Sequence, residues 1–136
     1  MHRESFSNFK KRIRANYDLI MKVHCPVLNE DVYFNAQGFY HLRYEVTGRE
    51  RTLSEQAFKL HLVEHIEEIV KKATIIDETR LEKAPIGRKK KSGKKIIKEV
   101  IYYAVSSNPS TAPRTKIIVI LRRVGNGKII FWSVMK

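Results

Sequence analysis

Two apolar runs near the end of the chain, Lys116 to Val124 (KIIVILRRV) and Lys128 to Met135 (KIIFWSVM), are separated only by Gly125-Asn126-Gly127. Both runs are crowded with β-branched and aromatic residues, and a Gly-Asn-Gly link supplies the backbone freedom that a tight hairpin needs. The pattern predicts an antiparallel pair, with the first, nearly continuous apolar run as a central strand. A third β-rich run, Ile96 to Val105 (IIKEVIYYAV), precedes them across a loop from Ser106 to Thr115 that carries Pro109 and Pro113. The second half of the chain therefore reads as an antiparallel meander.

The first half reads as mostly helical. Phe6, Phe9, Ile13, Tyr17 and Ile20 recur at three- and four-residue spacing, with Lys10, Lys11, Arg12 and Arg14 on the other side, predicting a basic amphipathic helix over residues 1–21. Pro26 and the turn signal Asn29-Glu30-Asp31 interrupt it, and Val32-Tyr33-Phe34 makes a short strand. Asn35 caps a short helix carrying Phe39, Leu42 and Tyr44, which Gly48 ends. A longer helix follows from Ser54 to Lys72, capped by Thr52 or Ser54, with Phe58, Leu62, Ile66, Ile69 and Ala73 as its stripe and Val63 and Val70 widening it. Helices first and strands last give an α+β class, N-terminal helices packed on one face of a C-terminal antiparallel sheet.

At 136 residues the chain is sized for a single domain over 1–136. The single cysteine, Cys25, permits no internal disulfide, and no apolar run is long enough to span a bilayer or serve as a signal-peptide core; a cytoplasmic protein with no membrane partner is expected. The 27 lysines and arginines against 14 acids leave a net charge of +13. Such charge concentrates polyanions at the surface without saying which one. Part of it lies in residues 86–95, whose stretch GRKKKSGKK is too charged to pack. It reads as a mobile loop in which Lys89, Lys90 and Lys91 can add phosphate contacts.

Few motifs carry sharper chemistry. His61-Leu62-Val63-Glu64-His65 matches an H-x-x-E-H zinc pattern, but no third ligand accompanies it, and these residues lie off the apolar stripe of their helix; no metal is assigned. There is no phosphate-cradling glycine loop, no C-x-x-C pair and no Ser-His-Asp arrangement of any specificity. Arg122 and Arg123 close the central strand and alternate between its two faces. On the partner strand, strict alternation puts Ile129, Phe131 and Ser133 on one face and Ile130, Trp132 and Val134 on the other. An arginine, a hydroxyl and an aromatic ring near paired strand ends suit a phosphate and a stacked base, although Trp132 reads equally well as core.

The order Gly38-Phe39-Tyr40-His41-Leu42, long helix, then strands ending in Phe131-Trp132-Ser133-Val134-Met135 resembles a phage-associated branch of the RelE/barnase/EndoU/colicin-like ribonuclease superfamily. The resemblance covers residues 32–135 and leaves the first helix outside. It implies a RelE/barnase-like fold and a metal-independent endoribonuclease without cofactor, toxin-like, in which the ribose 2′-hydroxyl attacks the adjacent phosphorus. It also implies site roles: His41 as base or acid, Arg122 as the cation at the phosphate with Arg123 as alternate, and Ser133 on a non-bridging oxygen. Arg43 and Arg51 would add phosphate contacts, and Trp132 would stack a base. Members of this superfamily often carry their acid/base residue on the sheet, whereas the late strands here offer only Glu99. Without the resemblance, His41 reads as a surface or helix-packing residue.

RNA is the expected partner, ahead of DNA, together with an acidic inhibitor or antitoxin protein. Two other readings stand beside the enzyme: a non-catalytic RNA- or DNA-binding module using the same basic surface, and an interaction domain for an acidic protein. Geometry separates the first two, because a nuclease must bring His41 and an arginine to one cleft.

Overall fold

The computed structural model describes residues 4–86 and 96–136. The basic tract with Lys89, Lys90 and Lys91 lies outside them. The architecture is α+β, as the sequence indicates: among the described residues, three helices pack on one face of a six-stranded sheet. In chain order the elements are α1 (Phe6–Ile20), β1 (Lys22–Cys25), β2 (Glu30–Tyr33), α2 (Ala36–Arg43), α3 (Leu53–Lys72), β3 (Ile75–Ile86), β4 (Ile96–Ser107), β5 (Ile117–Val124) and β6 (Ile129–Met135). No helix among the described residues is long and apolar enough to cross a membrane.

The sheet order is β1-β2-β6-β5-β4-β3. The β4-β5-β6 meander is present as expected, with β5 central and flanked on both sides by antiparallel partners. Two additions change its shape. The β1–β2 hairpin joins the sheet through a short parallel pairing, Val32 with Ile129 and Tyr33 with Ile130, so the sheet is mixed rather than wholly antiparallel. At the other edge, β3 pairs along its length with β4. Almost every β3 side chain is exposed, which suits an outer strand laced with charge and carrying Pro85 near its end.

One core lies between sheet and helices. Ile117, Val119 and Leu121 of β5 and Ile129, Phe131 and Val134 of β6 meet Leu60, Val63, Ile66, Ile69 and Val70 of α3. Burying Leu60, Ile66 or Ile69 completely contributes about 2 kcal/mol each. Helix α1 buries Phe9, Ile13 and Tyr17, one residue per turn, and is capped by Ser5, whose hydroxyl accepts from the Asn8 amide at 3.1 Å.

Three expectations need correction, two for helices and one for a strand. Helix α2 stops at Arg43, not Gly48; Tyr44 turns extended and bridges to Glu50, and Gly48 serves the connecting turn at φ +90°. The apolar face of α3 is rotated toward Gln56, Leu60 and Val63, leaving Phe58 48% exposed. The first turns of α3 turn Gln56 inward, where its amide donates to the Arg51 carbonyl at 2.8 Å. Finally, β6 does not alternate strictly. Ile120 pairs with Ser133 but Leu121 with Phe131, so Trp132 is an extra residue and the strand bulges there. The bulge returns Val134 to the core beside Phe131 and puts Trp132 and Ser133 together in the wall of one cleft.

Candidate nucleic-acid interface

The site begins with Gly38. A Cβ at this position would lie 2.5 Å from the Phe131 carbonyl oxygen and 2.8 Å from the Tyr17 hydroxyl, so only glycine lets α2 lie directly on β6. Asn35 fixes the start of α2, its side-chain oxygen accepting from the Gly38 amide at 3.0 Å, while the Tyr17 hydroxyl donates to the Asn35 carbonyl at 2.7 Å. One turn beyond Gly38, His41 reaches Trp132, with ring centroids 3.8 Å apart. The end of α2 is held by Arg51, whose Nε donates to the His41 carbonyl at 3.1 Å.

Arg122 approaches the same indole from β5. Its guanidinium carbon is 4.1 Å from the Trp132 ring and 5.7 Å from that of Tyr102. Arg122 is only 9% exposed, its Nε is buried without a hydrogen-bond partner, and no carboxylate pairs with it among the described residues. A desolvated guanidinium in this state is costly unless an anion joins it. His41, also 9% exposed, feels that charge. Burial holds its pKa below the ordinary value and Arg122 lowers it further; a hydrogen bond with the Tyr44 backbone opposes, and Arg51 adds a smaller depression. The shift favours the neutral imidazole, the form that accepts a proton.

Ser133, beside Trp132, carries a second cation. Lys59 of α3 donates to the Ser133 hydroxyl at 3.2 Å and to the Val134 carbonyl at 2.8 Å. Burial, with Arg51 nearby and only partial relief from Glu55, lowers its amine pKa to about 8. Lys59 was not singled out from the sequence. The signal available was its spacing, three residues after Gln56 and four before Val63, which puts a lysine on the buried side of α3.

The cleft on the sheet face away from the core is lined by Trp132, Ser133, Tyr102, Ile120, Arg51 and Arg80, among others. Arg80 stands over the Tyr102 ring at 5.0 Å while paired to Glu82 at 3.0 Å. His41 and Arg122 lie against the indole without forming the cleft wall. Of the residues selected from sequence, His41, Arg122, Trp132 and Ser133 are therefore gathered around one bulge, with Arg51 behind His41. Arg43 lies on another side of α2, bonding Gln56 at 3.3 Å and bordering a groove against α1. Arg123 points the other way from Arg122 and is ion-paired to Glu30 of β2. The histidines of the H-x-x-E-H pattern are separately engaged: His61 packs on Phe9 with ring centroids 4.6 Å apart, and His65 contacts Glu64 at 3.2 Å.

No family model, curated protein or solved structure matches the chain.

Proposed function

We propose that this chain is a metal-independent endoribonuclease of the RelE/barnase-like kind, acting on an RNA phosphodiester held at the Trp132 bulge. The observation that carries the reading is a pair of desolvated cations, Arg122 and Lys59, neither in an ion pair among the described residues, bordering adjacent residues of one strand. Such cations favour a bound anion, and with a net charge of +13 the polyanion of choice is a nucleic acid.

Neutral His41 supplies the second element. It takes the proton from the ribose 2′-hydroxyl as that oxygen bonds to phosphorus. The bond from phosphorus to the 5′-oxygen breaks, and the products are a 2′,3′-cyclic phosphate and a 5′-hydroxyl. Arg122 neutralises the charge on the phosphorane, and Ser133 donates to a non-bridging oxygen. Lys59, still mainly protonated at pH 7 with a pKa of about 8, delivers the proton to the leaving 5′-oxygen. The substrate must be RNA because DNA lacks the attacking hydroxyl.

A second reading, binding of RNA or DNA without cleavage, is favoured by the low exposure of His41 and its place outside the cleft wall. Incubation of the chain with RNA in excess EDTA separates the two. An acidic inhibitor protein remains part of the proposal, its negative surface matching the same cations.

A further inference from the structure

A run of aromatic rings crosses the molecule through the site. Tyr44 stacks on Tyr40 with centroids 4.4 Å apart and planes 15° from parallel. Tyr40 meets His41 at 5.8 Å, His41 meets Trp132 at 3.8 Å, and Trp132 meets Tyr102 at 6.1 Å. His41 and Trp132 within the run are buried, whereas Tyr40, next to the Tyr44 end, is 47% exposed and Tyr102 at the other end lines the open cleft. Each exposed ring is accompanied by cations. Tyr40 forms one wall of a groove between α1 and α2 together with Lys10, Lys11 and Arg14. Tyr102 lies under Arg80.

We propose that Tyr40 and Tyr102, the rings that reach solvent on either side of the buried His41–Trp132 pair, are stacking platforms for unpaired bases of a single RNA strand flanking the scissile phosphate; this rests on the cleavage reading for the position of that phosphate. Every base has a flat face, so a tyrosine accepts any of them, while lysines on a helix follow the backbone without reading sequence. A duplex keeps its bases stacked on each other and offers nothing to these rings, so an unpaired strand is the ligand. Lys10 and Arg14 stand one helical turn apart on the groove side of α1 and give the strand its direction away from Tyr40. This explains a feature that the chemistry leaves unused: why the basic face of α1 borders α2, the helix that carries His41.

Fluorescence anisotropy with a labelled single-stranded RNA of about 12 nucleotides, and with a duplex of equal length, tests the platforms. Tyr40→Ala and Tyr102→Ala are each expected to weaken single-strand binding by about tenfold, with Tyr40→Phe and Tyr102→Phe restoring it. Lys10→Ala combined with Lys11→Ala should reduce the slope of log affinity against log salt by about 1.4. Lys71→Ala with Lys72→Ala, removing the same charge from the far end of α3, should leave the slope unchanged. Equal losses from both lysine pairs would show diffuse attraction only and overturn the proposal, as would unaltered binding in both tyrosine-to-alanine variants or tighter binding of the duplex. Cleavage of RNA in EDTA with any of those results refutes the platforms alone. Expected binding losses with intact RNA refute the cleavage reading and keep the platforms.

Discussion

The imidazole of His41 and the indole of Trp132 lie 3.8 Å apart, centroid to centroid, with their planes inclined by 42°. They come from distant parts of the chain and meet because of two local irregularities. Gly38 lets α2 touch the backbone of β6, and the bulge at Trp132 turns that side chain out of the strand's ordinary alternation. Trp132 is the only tryptophan, so its fluorescence reports on this contact.

Gly38→Ala should be among the more damaging single substitutions outside the core. The added methyl group meets backbone oxygen and the buried Tyr17 hydroxyl, neither of which can move away cheaply. A loss of about 1–3 kcal/mol is expected from urea denaturation, with Trp132 emission altered in the folded baseline as α2 lifts from β6.

Acidification should dim or shift Trp132 emission with a midpoint below 6.5, as burial and Arg122 hold the His41 pKa down. The unfolded chain takes up this proton first as pH falls, so His41 stabilises the fold above its unfolded pKa and the contribution is lost through the lower folded value. His41→Gln should abolish the fluorescence transition and flatten the fall in Tm between pH 7 and pH 5. A midpoint above 6.5 would mean that Arg122 does not act on the imidazole.

The Lys59 side chain should titrate near pH 8, followed by NMR of its ε-methylene with Lys59→Arg for assignment. Its folded pKa is depressed, so its contribution to stability is complete above the unfolded value near 10.5 and is lost as pH falls through about 8. A midpoint close to 10.5 would remove Lys59 from the proton-transfer role.

Inorganic phosphate or pyrophosphate should raise Tm beyond what sodium chloride of equal ionic strength does, because it satisfies the unpartnered Arg122. At a ligand concentration a hundred times Kd the gain is about 2.7 kcal/mol. Arg122→Met should lose the phosphate effect while remaining folded. Equal responses in the two proteins would detach anion binding from Arg122.

Much of the fold can be read from periodicity alone. The α1 stripe, the Asn35 cap, the long α3 and the β5–β6 hairpin all follow from apolar spacing and turn residues. Strand β3 could not be read that way: the stretch IIDETRLEKAPI neither alternates nor turns inward, since among the described residues it is an edge strand paired with β4 alone. The parallel contact of β2 with β6 joins segments too far apart for any local pattern to signal. At the candidate site, Arg122, Ser133 and Trp132 are candidates by residue type and strand position, Trp132 reading equally well as core, whereas His41 enters only through the family resemblance. Their mutual arrangement was not legible, because one extra residue in β6 reverses the facing that strict alternation gives Trp132 relative to Ser133. Lys59 was hidden for a related reason: its partner, Ser133, is on another element and lies 74 positions away.

The most direct measurement is cleavage of labelled single-stranded RNA by the purified chain in excess EDTA, with the ends of the products identified. The expected result is fragments with 2′,3′-cyclic phosphate and 5′-hydroxyl ends, formed at least about a hundredfold more slowly by folded His41→Ala and Arg122→Ala, and no cutting of the matching DNA. RNA left intact by the unmodified chain, or cut equally well by His41→Ala, would contradict the proposed nuclease.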